Sequence, residues 1–392
     1  MSDAASAGGQ AESGRVTGMT GATGGVTGGV TIEEGRLTGG WRSVTLRSPH
    51  LEVVVLPEKG GEIYALRSLR HDVDVLWKSP WGPGGSSVPS AVGEASQVVW
   101  LDHYGGGWQD LFPNAGAACT VAGAAHPFHG EASVVPWECV VGEARGGTPE
   151  VRLTVRLARS PFRLEKRIRL EPDRPVLRFW ERAVNESNRT QPYLWGQHPA
   201  FGAPFLAGGA RLDVPATTFV AAEPQVSPQS RVVPGSQSGW PLVAGAAPGG
   251  GGGSETGAGG GGAVDLSVVP GPEAATDTLG FLLDLAGGWY ALSNDALGLG
   301  FGLAWPVEVF PCIWLWQELC GTQEYPWYGT SYVMGVEPHT SCPADGLAMA
   351  VARGAARTLG PGEGVEADLT AVLFAPGGRV AGVSPDGAVS FG

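Results

Sequence analysis

TLRSPHLEVVVLPEKGGEIYALRSLR (residues 45–70) carries the pattern that decides the fold. Two runs rich in Val, Leu, Ile and Tyr flank the segment Pro57-Glu58-Lys59-Gly60-Gly61. β-Branched and aromatic residues suit strands, and Pro and Gly punctuate turns. The spacing therefore predicts two strands joined by a turn. Similar segments follow at 134–142, 149–157, 162–170, 175–184 and 191–195. More lie near 278–285, 288–293, 298–305, 311–318, 347–353 and 365–374. Helical periodicity at i, i+3, i+4 and i+7 is hard to find. Many short strands with turn punctuation predict an all-β, antiparallel sandwich or barrel with few or no long helices.

The composition agrees and narrows the function. With 64 Gly and 31 Pro in 392 residues, the chain is rich in turns. The net charge of −13 and the lack of a long Lys/Arg cluster argue against nucleic acid, whose phosphates need a basic patch. The densest basic run, ARSPFRLEKRIRLEPDR (158–174), mixes Arg163, Lys166 and Arg169 with Leu164, Ile168 and Leu170, and reads as a solvated strand face. Five Cys with no CxxC spacing suggest small buried residues of a reducing compartment. The start MSDAASAGGQ has neither the basic residues nor the apolar run of a signal peptide. No stretch reaches the ~20 apolar residues needed to span a bilayer. The expectation is a cytoplasmic protein, monomer or homodimer, with no nucleic-acid or membrane partner.

Residues 1–36 are low in large apolar side chains and read as a disordered leader. Residues 37–380 read as one β domain, interrupted by a flexible loop at 245–263 (GAAPGGGGGSETGAGGGGA), with a tail at 381–392.

Three aromatic-rich contexts each present one ionisable group. They are His129 in HPFHGE (126–131), His198 in WGQHPAFG (195–202) and Glu337 in GVEP (335–338). Imidazoles exchange protons near neutral pH, and a carboxylate among apolar neighbours can be tuned to do the same. In GGGWQDLFPNAG (105–116), Gln109, Asp110 and Asn114 lie beside Trp108, Phe112 and Pro113. Amides and carboxylates beside flat apolar faces suit a polyol, although a turn-rich loop capping its own backbone reads the same way. The alternation in WLWQE (314–318) places Trp314, Trp316 and Glu318 on one face. Trp327 follows on a loop in EYPWYG. The pair His126 and His129 lacks a third ligand and would diverge on an extended segment, so no metal is expected.

These residues resemble the galactose-mutarotase-like superfamily of aldose 1-epimerases and hexose-6-phosphate mutarotases. The matching motifs are His129-Gly130 with Trp137 seven residues on, His198 in a later strand-loop segment, and Glu337 on a late strand. GGWQDLFPNAG also resembles the segment ahead of the first His in the phosphosugar branch. The resemblance covers roughly residues 40–375. It implies a β-supersandwich with a sugar site on its concave face and no cofactor. It implies Glu337 as the base at the anomeric hydroxyl, His198 as the acid at the ring oxygen, and His129 as a hydroxyl clamp. The family's substrate-binding Asp matches Asp277, or else Asp284. Where the phosphosugar branch carries an Arg, this chain reads Glu131-Ala132-Ser133, which points to an unphosphorylated aldose. A non-catalytic carbohydrate-binding or regulatory protein on the same fold is the alternative. A polysaccharide-active enzyme is a third reading, with Glu318, Glu324 and Glu337 as its carboxylates.

Overall fold

The computed structural model describes residues 29–87, 89, 91–246 and 261–392. Among them, a twelve-stranded and an eight-stranded antiparallel sheet form the body of the molecule. Five neighbouring strands of the larger sheet matter most. In spatial order they are Trp108–Leu111, Gly196–Gly202, Tyr332–His339, Cys312–Leu319 and Thr276–Leu283. The chain returns to the middle of this sheet from distant positions, so three separate motifs become neighbours.

Period-two alternation gives each of these strands two faces. Phe201, Ile313, Leu315, Leu319, Met334 and Val336 turn toward the smaller sheet. There they join Leu153, Leu164, Ile168, Phe179, Leu303 and Leu369 in the main core. The other face is free to build a site.

One charged cluster lies within this core. In the strand Phe162–Leu170, Lys166 is buried in phase with Leu164 and Ile168, which corrects the expectation of a solvated face. Its ammonium meets Asp110 and lies 2.9 Å from Glu181 Oε1. Gln197 donates to Asp110 Oδ1 and Glu181 Oε2 at 2.9 and 2.7 Å, and accepts from Trp108 Nε1 at 2.8 Å.

The strand expectations between 134 and 195 correspond to Glu138–Glu143, Pro149–Arg156, Phe162–Leu170, Val176–Asn185 and Gln191–Tyr193. Four departures are physical. Thr31–Arg36, inside the expected leader, forms a strand paired to Arg42–Arg47; residues 1–28 lie outside the described residues. The expected strand at 347–353 is a short helix, α2 (Leu347–Ala352), because an apolar run of this length does not distinguish strand from helix. A nine-residue helix, α1 (Ala95–His103), had no predicted counterpart. The tail is a hairpin of Val380–Val383 with Val389–Phe391. The Gly-rich insertion joins the paired strands Leu242–Gly245 and Gly261–Asp265, and residues 247–260 lie outside the described residues. No helix among the described residues is long and apolar enough to cross a membrane.

Candidate functional site

His129 reaches the free face of the larger sheet through an uncommon backbone conformation, with φ at +59°. Gly130 follows at φ +76°, and a Cβ there would lie 2.4 Å from the Phe112 carbonyl oxygen. The pairing of His with Gly is therefore a packing requirement. His129 and Gly116 are bonded twice. The His129 amide donates to the Gly116 carbonyl at 3.0 Å, and the Gly116 amide donates to His129 Nδ1 at 3.1 Å. With Nδ1 accepting, Nε2 carries the proton of the neutral ring.

His198 sits on the strand Gly196–Gly202, directly opposite Gln109 on one neighbour. On the other side lies Tyr332–His339, whose Glu337 stands opposite Trp314 of the next strand. His198 Nε2 lies 3.4 Å from Glu337 Oε1. Glu337 Oε2 lies 3.3 Å from His339 Nε2. The carboxyl is thus held between two imidazoles. The His339 ring stacks on Trp314 at a centroid distance of 3.6 Å. Two glycines leave room for this arrangement. A Cβ on Gly196 would lie 1.9 Å from His339 Cε1, and one on Gly335 would lie 2.4 Å from Glu337 Oε1.

Burial governs protonation here. His129, His198 and Glu337 are only 8%, 4% and 2% exposed. Burial raises Glu337 well above the ordinary carboxylate range and lowers His198 to about 4. His129 and His339 are also held well below the usual imidazole value by burial, with the neighbouring histidines adding to it. Burial thus disfavours the charged forms of Glu337 and of all three histidines. A single proton on the pair of His198 and Glu337 has two placements of the same net charge, a neutral pair or an ion pair.

The other candidates divide by face. Gln109 shares the His198 face. Its Nε2 donates to Glu62 Oε2 at 2.8 Å, while its buried Oε1 has no partner and can receive a ligand hydroxyl. Glu62 accepts from Lys59 through both oxygens at 3.0 Å. Asp110 turns to the opposite face and is spent on Lys166. Asn114 joins three loops instead of facing the cleft. Its Nδ2 donates to the Ala117 and Pro127 carbonyls, and its Oδ1 accepts from the Leu347 amide at 2.7 Å. Asp277 and Glu318 are cross-strand partners. Glu318 lies four residues along the strand from the partner of Glu337, roughly 14 Å at ~3.4 Å per residue. Burial, aided by Glu318, raises Asp277 to about 7, and Ser227 donates to it. Asp284 accepts from Thr218 Oγ1 at 2.6 Å, beyond the far end of the same strand. Glu131 accepts from the Ala158 and Arg159 amides and from Ser160 Oγ. Among the described residues, no group of three or more His, Cys, Asp or Glu is arranged to hold a metal ion.

Aromatic rings cover the cleft. Trp100 of α1 stacks on Tyr104 at 4.6 Å and meets His129 edge-on at 4.6 Å. The Tyr104 hydroxyl lies 3.4 Å from His198 Nδ1. Trp316 and Trp327, 5.3 Å apart, close the other side, and each lies within 6.4 Å of Tyr104. His339, Trp100 and Tyr104 were absent from the sequence reading. His339 was accessible to it, since a residue two positions beyond Glu337 on a strand shares its face.

Residues 38–237 match the model of a family described as a domain of unknown function (DUF4432). No curated protein matches the chain in sequence. Solved structures do resemble it. A candidate aldose 1-epimerase of Klebsiella pneumoniae subsp. pneumoniae is 18% identical, with a TM-score of 0.66 over 88% of this chain and 84% of that one. A galactose mutarotase-like protein of Clostridium acetobutylicum is 13% identical, with a TM-score of 0.57 over 88% and 98%. A galactose mutarotase related enzyme of Lactobacillus acidophilus is 16% identical, with a TM-score of 0.54 over 85% and 97%. At these identities the likeness is one of fold: the chain has the galactose mutarotase-like β-sandwich.

Proposed function

We propose that this protein, which belongs to the DUF4432 family of domains of unknown function, is an aldose 1-epimerase-like isomerase acting on an unphosphorylated aldose. The observation that carries the proposal is the buried contact between His198 Nε2 and Glu337 Oε1, with His129 beside it.

The chemistry follows from one shared proton. An anomeric hydroxyl donating to Glu337 stabilises its carboxylate form and moves the resting proton toward His198. His198 then has a proton for the ring oxygen while Glu337 takes the one from the anomeric hydroxyl. The C1–O5 bond breaks and the open-chain aldehyde forms. Rotation about C1–C2 and closure from the other face return both protons and give the second anomer. His129 offers Nε2–H and Gln109 offers its unpartnered Oε1 to sugar hydroxyls. An uncharged substrate suits the cleft, since Lys59 is already neutralised by Glu62 and Glu131 is committed to residues 158–160.

One observation favours the second reading, a protein that binds carbohydrate without converting it. Trp100 and Tyr104 cover the histidines, so a sugar reaches Glu337 only when these rings move. Polarimetry separates the two readings. Freshly dissolved α-glucose, α-galactose and further aldoses should equilibrate faster with wild-type protein than spontaneously. His198→Asn should lose most of that acceleration. No acceleration on any aldose rules out the enzyme.

A further inference from the structure

Trp81, Tyr325 and Tyr328 are 69%, 42% and 53% exposed. Among the described residues, Phe391 is the one other aromatic side chain as open to solvent. Solvent-exposed aromatic rings scattered singly need no explanation. These three are not scattered: all line one groove of about 230 Å³. Its walls also include Leu101, Asp102 and Tyr104.

We propose that this groove is an outer binding subsite for a neutral pyranose, at the mouth of the covered cleft. Two elements build both places. Helix α1 and the residue after it turn Trp100 inward, show Leu101 and Asp102 to the groove, and place Tyr104 against both. The loop at 325–328 turns Trp327 inward, where it packs on Trp77 at 6.0 Å, and leaves Tyr325 and Tyr328 outside. Tyr328 is held there with φ at +47°, an unusual conformation for a bulky side chain. Trp81 also stands on a fixed turn. Its amide donates to Ser79 Oγ at 3.2 Å, and the Ser79 amide donates to the Gly105 carbonyl at 3.1 Å.

The lining selects the ligand class. Flat indole and phenol faces receive the C–H faces of a sugar ring. Asp102, which accepts from the Tyr325 hydroxyl at 2.8 Å, brings a carboxylate acceptor for hydroxyls. Among the described residues, no Lys or Arg lines the groove, so a phosphate or carboxylate ligand would find no counter-charge among them. The volume is small beside typical ligand clefts of roughly 300–1,000 Å³, which fits a single ring. Tyr104 links the groove to His198 Nδ1. That a bound sugar then passes inward to react rests on the isomerase reading; pyranose binding in the groove does not.

The test uses methyl α-glucopyranoside and methyl α-galactopyranoside, whose anomeric centres cannot open. Ligand-observed saturation-transfer NMR would be run on wild type, Trp81→Ala, Tyr328→Ala and Glu337→Gln, each with a thermal melt to confirm the fold. Saturable binding of at least one glycoside is expected to wild type and Glu337→Gln, and tenfold or more weaker binding to both aromatic variants. No binding to wild type overturns the subsite. So does binding that survives Trp81→Ala and Tyr328→Ala. Glycoside binding in the groove without mutarotation by wild type would overturn the isomerase reading and leave the subsite standing.

Discussion

At the scale of single residues, the site depends on side chains that are missing as much as on those present. Gly196→Ala would drive a methyl group into the His339 ring, which is already stacked on Trp314. Overpacking of this kind costs about 1–3 kcal/mol. Urea denaturation should show that loss, and an unchanged midpoint would mean His339 is not confined as described. His198 brings a pH dependence. Its folded-state value of about 4 lies below the ordinary 6.5, so the folded chain binds fewer protons than the unfolded chain between those values. The contribution of His198 to stability is therefore full above pH ~6.5 and lost as the pH falls toward ~4, by about 3 kcal/mol at ~1.36 kcal/mol per pH unit. Glu337 has the opposite sign. Its raised value makes its contribution full below the ordinary 4.5 and diminishing as the pH rises. His198→Asn should flatten the acid loss of stability between about pH 6.5 and about pH 4.5. An acid limb as steep as that of wild type would show that burial does not depress His198.

At the scale of elements, α1 is the piece most able to move. It has nine residues and no side-chain cap at its N-terminus, and isolated helices so short are marginal. Its attachments are few and specific. The Phe128 amide donates to Ser96 Oγ at 2.9 Å, Trp100 Nε1 donates to Ser133 Oγ at 3.3 Å, and Tyr325 donates to Asp102. Amide hydrogen exchange should be faster in residues 95–103 than in the strand 332–339, and faster still in Ser96→Ala. Equal protection of helix and strand would contradict a mobile cover. This helix was also the element least legible in the sequence. It presents two buried residues, Ser96 and Trp100, and so no apolar stripe. The strands were legible where alternation is enforced by one packed face along their whole length, as in Phe162–Leu170. His129, His198 and Glu337 stood out as ionisable groups in apolar surroundings. Asn114 carried the same composition and proved to be a loop staple, since composition does not say which partner an amide finds.

At the scale of the whole molecule, two sheets clamp a buried charge cluster directly behind the site. Lys166 from the smaller sheet meets Asp110 from the larger and Glu181 from its own neighbour. Burial alone would lower the lysine, but the two carboxylates outweigh it and raise the ammonium further. Glu181 rises to about 8 through burial and the nearby Asp110. Lys166→Met would strand two buried carboxyls and should cost about 3–5 kcal/mol in denaturant unfolding. A loss below ~1 kcal/mol would show that the cluster is not closed to solvent. The phase of Lys166 with Leu164 and Ile168 was readable in the sequence; its partners were not, because Asp110 is 56 residues away and on the other sheet. Between this cluster and the aromatic cover lies the contact of His198 with Glu337, which the proposed function has share one proton at a sugar's anomeric centre. The most direct test of that claim is anomer exchange measured by NMR on the aldose that wild type converts fastest, with wild type and Glu337→Gln side by side. The expected result is acceleration by wild type and a loss of roughly 100-fold or more in Glu337→Gln with an unchanged melting temperature. Equal exchange rates for the two proteins would contradict it.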